Sequence, residues 1–431
     1  WHDGTPVTPE DVKFNIEYRM ENDPQSGWMK DVLESIDLDG DTVTIKLNKP
    51  YGTLLVEFNT YVVLPKHIWE KVNDPLNYSG EDAAIGCGPY ILEKFDPGAG
   101  LLSFKANPEY HSGKPSVDRL EFRIYKNVDS MTMALSKGDV DVIWDYSASI
   151  PYTSAEALSK VPEITLATEV DMGVPVAMGF NMAKYPTNEL TFREAISYAI
   201  NYPQIAEFIF AGHGKVPTAA FVPPSMPLHD EKLRPMQFDP NRAASLLESI
   251  GLKDADGDGL RETPQGEKVR LTLLTRTDSA AISRSGELIQ GYLRAVGIDA
   301  SLKALDSATW VALKDKMDYD LVLYRTTPWG MLMHAGYGSG YFDARRTGAG
   351  VLHNVEDKSY LDLCDEMLQT TDPALYRELA LRLQQYYADQ LPSLAIAWGE
   401  NVYPHRGPWQ GWEMNQISGG LVNRESFFSL R

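Results

Sequence analysis

The chain has 431 residues, 43% hydrophobic and 23% charged, with a formal net charge of −20. That length exceeds a single compact core and predicts two or three domains. The acidic balance excludes nucleic acid and anionic lipid, which need clustered Lys and Arg, and no apolar run is long enough to span a bilayer.

The opening, Trp1 to Phe14, reads as a turn and then a helix start. Asp3-Gly4 supplies turn chemistry, Thr8 caps, Pro9 takes the first helical position, and Asp11 faces the positive helix end. The helix is expected from Pro9 to about Met20, followed by a period-2 strand over Thr42 to Leu47. Gly86-Cys87-Gly88-Pro89-Tyr90 then breaks the pattern. Cys87 and Cys364 are too few for a disulfide scaffold and are read as two buried free thiols, with one long-range bridge as the alternative. Next come a strand over Leu120 to Ile124, a helix capped by Asp129 and stopped at Gly138, and a strand over Val140 to Trp144. An extended stretch ends at Phe180. After Pro186 a helix begins, with Phe192, Ile196, Ala199 and Ile200 at helical spacing.

Asp239-Pro240 opens a helix that stops at Gly251. Asp254, Asp256 and Asp258 then alternate ahead of Gly259, Leu260 and Glu262. Carboxylates at this spacing, with the Leu260 carbonyl turned inward, can wrap a structural calcium ion. The fit to an EF-hand is incomplete, because Gln265 stands where the closing Glu belongs, and the alternative is a solvated acidic loop. No cofactor is required. A strand over Val269 to Leu273, a helix ending at Gly297 and a strand over Ile298 to Leu302 predict a parallel pair. The apolar run before Tyr324 and Arg325 leads into Trp329 and His334. Loops at strand ends place side chains in crevices, an aromatic face offers apolar contact, and Arg takes a carboxylate bidentately. Alternation puts Tyr324 and Arg325 on opposite faces if the strand continues. Arg345-Arg346 suits an anion or a solvated turn. Asp372-Pro373 opens a last long helix, and Leu391 to Trp398 reads as a buried strand. No Gly-x-Ser-x-Gly elbow, His-Glu-x-x-His or P-loop is present.

The opening words, Gly86 to Tyr90, the Gly138-Asp139-Val140-Asp141 step, Phe180 to Ile196 and Leu391 to Trp398 together resemble the peptide/nickel class (family 5) of extracellular solute-binding proteins of ABC importers. Phe180 to Ile196 is similar to the nickel branch. In that family the opening signature lies well inside the chain, so the sequence looks N-terminally truncated. The resemblance implies an α/β, two-lobed periplasmic-binding-protein-like fold with hinge crossings near Phe180 to Pro186 and Ala395 to Asn401. It divides the chain into an incomplete small α/β subdomain (1–85), the rest of the first lobe (86–182), the second lobe (183–400) and a C-terminal return (401–431).

The implied function is capture of a short peptide or similar small charged solute, by closure of the lobes, and delivery to an ABC permease. The protein would be a monomer working in the periplasm or outside the cell, with or without a membrane anchor, and not an enzyme. The implied ligand residues are Trp329 and Arg325, then Tyr324 and His334. Peptide binders of the family carry an acid just after the Trp, and Gly330-Met331-Leu332-Met333 has none. A nickel-chelate binder is the alternative, although the nickel branch places its metal-contacting His around Tyr341 to Thr347, where this chain has none, leaving His334 and His353 as displaced substitutes. The alternative of another class is a cleft hydrolase such as a glycosidase, which needs paired carboxylates.

Overall fold

The first helix starts where its cap chemistry directs. A computed structural model describes residues 1–59, 61–75, 77–144, 150–326, 333–345, 352, 354–415 and 420–431, and in it this helix runs Pro9–Asn22. Asp11 reaches back to accept the Thr8 N–H at 2.8 Å and, with its other oxygen, the Lys66 N–H at 2.9 Å. Burial disfavours its charge, but these donors outweigh burial and hold the carboxyl below its usual range.

The chain forms two units. The first comprises Trp1–Tyr146, Leu158–Leu166 and Tyr403–Arg431, and the second Ser147–Ala157 and Ala167–Val402. In the first, β1 (Leu33–Asp39) and β2 (Thr42–Leu47) form an antiparallel hairpin. Ile36 of β1 joins Ile16 and Met29 in a small core. A second antiparallel sheet has the order β3 (Tyr90–Asp96), β4 (Leu101–Ala106), β5 (Arg119–Arg123). The C-terminal segment returns to this unit: Ser116 donates its N–H to the Phe427 carbonyl at 2.9 Å, and the Phe427 ring meets Tyr90 edge-on at 5.5 Å.

Three local expectations are corrected here. The helix Val128–Lys137 does stop at Gly138, whose φ of 84° suits a residue without Cβ, but its cap is Asn127, which accepts the Ser130 N–H at 2.9 Å. Asp129 sits inside the first turn instead. Val140 to Trp144 forms no strand; Val142 makes one bridge to His405, and Ile143 alone of that stretch is buried, so there is no sheet face to pack. Both cysteines are free thiols, but only Cys364 is buried, because Cys87 lies in the exposed Gly-Pro turn.

The strand β6 (Ile164–Val170) leads into the second unit. There β7 (Val176–Phe180), β8 (Arg270–Arg276), β9 (Asp299–Leu305), β10 (Leu321–Tyr324) and β11 (Ser393–Ala397) form a five-stranded sheet in the order β11-β7-β10-β8-β9. β8, β9 and β10 run parallel, as the strand-helix-strand pattern predicts, while β7 is antiparallel to both β10 and β11. β7, β10 and β11 are buried at every position, which is why they read as continuous apolar runs. Phe180, Phe192, Ile289, Leu323 and Ile396 lie in the core around this sheet.

The chain passes between units at 146/147, 157/158, 166/167 and 402/403; the last two crossings fall within β6 and within β12 (Glu400–Arg406), and these two strands pair with each other. The long continuous stretch of the second unit therefore begins at Ala167 rather than at 183. Phe180 to Pro186 and Ala395 to Asn401 both belong to the second unit, and the antiparallel register sends them from opposite ends of the β7–β11 pair: Gly179 faces Ser393, whereas Ala397 faces Val176. Sequence reading placed the crossing after β7 because the break at Pro186 is visible, whereas the pairing of β7 with β10 and β11 is not.

Candidate functional site

Register brings three chain segments to one edge of the five-stranded sheet. Tyr324 pairs with Ala177 and Ala397 with Val176, both antiparallel. The residues just before β7 must therefore lie beside those just after β10 and β11. The carboxyl ends of β10 and β11 face this edge, and the crevice outside the carboxyl ends of strands is where open α/β sheets bind ligands.

The approach is close. A Cβ on Gly173 would stand 2.4 Å from the Thr326 carbonyl oxygen, so the position admits only glycine without a shift. Thr326 donates its N–H to the Val174 carbonyl at 3.0 Å, and its Oγ1 accepts the Val174 N–H at 2.7 Å. Asp171 donates its N–H to the Gly399 carbonyl at 3.0 Å, and its Oδ1 accepts the Gly173 N–H at 2.7 Å. Ser225 donates its Oγ hydrogen to the Asp171 carbonyl at 2.6 Å.

Asp171 is 2% exposed. Burial pushes its carboxyl up from the usual range, opposed by the Arg325 guanidinium, the Gly173 N–H and the Asn401 side chain. Arg325 is half-buried. Its Nε and the Asp171 Oδ2 meet no partner in hydrogen-bond geometry among the described residues. The site thus sets a buried carboxyl within electrostatic reach of a guanidinium, with a donor and an acceptor still to satisfy.

The other predicted residues fall in different surroundings. Tyr324 is enclosed in the core, its hydroxyl 2.8 Å from Ser393 Oγ. Its ring is part of the sheet's packing, and alternation leaves Arg325 as the residue at the edge. His334, on the short helix Met333–Tyr337, is 2% exposed, and its Nε2 lies 2.7 Å from the Pro227 carbonyl. Burial, against that bond and helped by nearby His229, lowers its pKa to about 4. Trp329, Arg346 and His353 lie outside the described residues. Arg345 is engaged by Asp343 at 2.7 Å and Asp365 at 2.8 Å. Sequence reading missed Asp171, Ser225 and Asn401, whose only local signal was an acid two residues before a glycine.

In the acidic loop, ligand-type oxygens of Asp254, Asp256, Asp258 and Glu262 lie within 4.8 Å of one another. The donor set suits calcium. Lys268 stands in for a cation there: its Nζ is 2.8 Å from Asp256 and from Asp258 and contacts Glu262 as well. Asp254 instead accepts the Gly257 and Gly259 N–H groups. Leu260 takes part through its N–H, which donates to Asp258 at 2.8 Å. The first unit has a cavity of about 940 Å³ lined by Trp1, His2, Cys87, Tyr110 and His111 among others. His2 is already engaged there with Gly86 and Gly88 backbone atoms.

Comparison with known proteins gives one consistent result. The family model described as bacterial extracellular solute-binding proteins, family 5 Middle, matches residues 1–348. A nickel-binding periplasmic protein of Escherichia coli is 26% identical over 395 residues, covering 88% of this chain and 73% of the relative. The oligopeptide-binding protein AppA of Bacillus subtilis is 24% identical over 332 residues, covering 74% of this chain but 58% of the relative. Among solved structures, AppA from Bacillus subtilis with a nonapeptide superposes with a TM-score of 0.83 at 20% identity, covering all of this chain and 84% of that one. NikZ from Campylobacter jejuni with Ni(L-His) gives a TM-score of 0.83 at 20% identity, covering all of this chain and 85% of that one. These likenesses show the two-lobed α/β fold of periplasmic binding proteins.

Proposed function

The chain belongs to the bacterial extracellular solute-binding proteins of family 5, and from that premise we propose that it captures a small charged solute outside the cytoplasmic membrane and delivers it to the permease of an ABC importer. The observation that carries the ligand reading is the Asp171–Arg325 pair at the shared edge of β7, β10 and β11. A half-buried guanidinium whose enclosed Nε–H is unmet, near a buried carboxyl with an unmet oxygen, favours a ligand that brings both an acceptor and a donor. A short peptide or an amino-acid-like solute has both. Nickel chelates with carboxylate groups are the second reading, favoured by the nickel-binding relative that covers 88% of the chain.

The family and the structural neighbours are binding proteins rather than enzymes, and on this reading the solute is returned unchanged. Among the described residues no helix is long and apolar enough to cross a membrane. We take the working form to be a monomer.

Calorimetry tests the ligand site. With a panel of dipeptides, free amino acids and nickel–histidine chelate, the protein should bind at least one, and Arg325→Ala should weaken that binding tenfold or more with folding intact. Equal affinity in Arg325→Ala for every ligand bound would remove the site from the account.

A further inference from the structure

Residues 221–230 of the second unit form a loop that its own sequence does not favour. Phe221 and Leu228, near its two ends, hold left-handed backbone at φ 69° and 63°. A Cβ crowds the following carbonyl in that region, and glycine enters it most freely. Such strain persists only where the surroundings over-determine it, and it gathers at binding sites.

Three side chains from elsewhere in the unit grip the backbone of this loop. Trp398 Nε1 donates to the Phe221 carbonyl at 3.3 Å. His334 donates to the Pro227 carbonyl at 2.7 Å; a carbonyl only accepts, so the ring proton sits on Nε2. Gln384, on the helix Pro373–Gln390, donates from Nε2 to the Leu228 carbonyl at 2.9 Å and accepts the Asp230 N–H on Oε1 at 2.8 Å. Gln384 is fully buried, where an amide is costly unless bonded. Bonded at both ends, it fixes one arrangement where apolar packing would tolerate several. The Phe221 ring adds edge-on contacts with Phe342 at 5.5 Å and Tyr387 at 5.7 Å.

The held loop delivers one contact to Asp171. Ser225, between the two strained residues, donates its hydroxyl hydrogen to the Asp171 carbonyl at 2.6 Å. Asp171 is then fixed at three points: its N–H by the Gly399 carbonyl, its carbonyl by Ser225, and its Oδ1 by the Gly173 N–H. Its Oδ2 keeps no hydrogen-bond partner among the described residues. With the backbone tied on both sides of Cα and one carboxyl oxygen bonded, the direction of Oδ2 is set before a solute arrives. Such preorganisation lowers the ordering cost of binding.

We propose that Ser225, carried on the clamped 221–230 loop, is a positioning residue of the solute site, acting through Asp171 on the hydrogen-bond donor of the solute. The inference rests on the solute reading of Asp171 given above, and it makes His334 a holder of the loop and not a solute ligand.

Calorimetry with dipeptides, free amino acids and nickel–histidine chelate tests it through a double-mutant cycle, with urea midpoints reporting whether each variant keeps its fold. For a solute bound by the unaltered chain, Ser225→Ala should weaken binding about fivefold or more, and Ser225→Thr, which keeps the hydroxyl, should restore it to within about twofold. In an Asp171→Asn background Ser225→Ala should cost nothing further, because the two residues act as one unit; a loss that reflected only a weakened fold would multiply with that of Asp171→Asn. Undiminished binding in Ser225→Ala, or losses that multiply across the cycle, overturns the inference and leaves the solute site standing. Binding that survives Asp171→Asn and Arg325→Ala alike, or no binding from the panel at all, overturns the solute reading itself, and the inference falls with it.

Discussion

Lys268 decides what the acidic loop does. Its ammonium touches three of the four carboxylates that a metal ion would need, and they raise its pKa above the usual lysine range despite the cost of desolvation. Calcium must displace this internal cation before it can bind. Lys268→Met should therefore gain a calcium-dependent rise in melting temperature larger than that of the unaltered protein, because a ligand specific to the native state stabilises it by mass action. Thermal unfolding with and without millimolar calcium measures this. Equal responses in both proteins would show that the lysine does not guard the loop. The motif itself was legible as alternating acids, but Lys268 lies beyond the turn and only folding brings it back. Arg261 was legible only as a charge within the motif. In the fold it is 9% exposed and ties the loop to the Leu252 and Val296 carbonyls at 2.8 Å each.

Pairing of strands, more than any single side chain, builds the proposed solute site. The segments at its edge, Asp171 to Val174, Arg325-Thr326 and Trp398 to Asn401, are far apart in sequence and meet because β7 pairs antiparallel with both β10 and β11. Gly173→Ala tests that construction. The added Cβ would press on the Thr326 carbonyl oxygen, which is backbone and cannot swing aside. A loss of about 1–3 kcal/mol is expected for such overpacking, read as a lower urea midpoint with an unchanged slope, together with weaker solute binding. Unaltered stability would mean the two segments are not held in contact. Helix boundaries were the most legible elements: the helix Pro240–Ser249 has Asp239 accepting the Arg242 N–H, and Gly251 follows at φ 83°. These are local signals, complete within a few residues. The Val140 to Trp144 alternation was local too, yet it found no partner strand, since an apolar pattern states what a strand would bury and not what it would pair with.

At the scale of the whole chain, the family words and the alternation of strand and helix carried the fold class. The unit boundary needed the pairing of β6 with β12, which no local pattern states. The order of strands in the second unit was likewise beyond the sequence, and with it the place of Asp171 beside Arg325. The central claim is that the protein carries a small solute without changing it, and mass spectrometry of natively purified protein tests it most directly. The account predicts a mass above that of the bare chain by one small charged solute, lost on denaturation, recovered chemically intact and diminished in Arg325→Ala. A bare chain after incubation with solute-rich extract, or a solute recovered as a cleaved product, would contradict it.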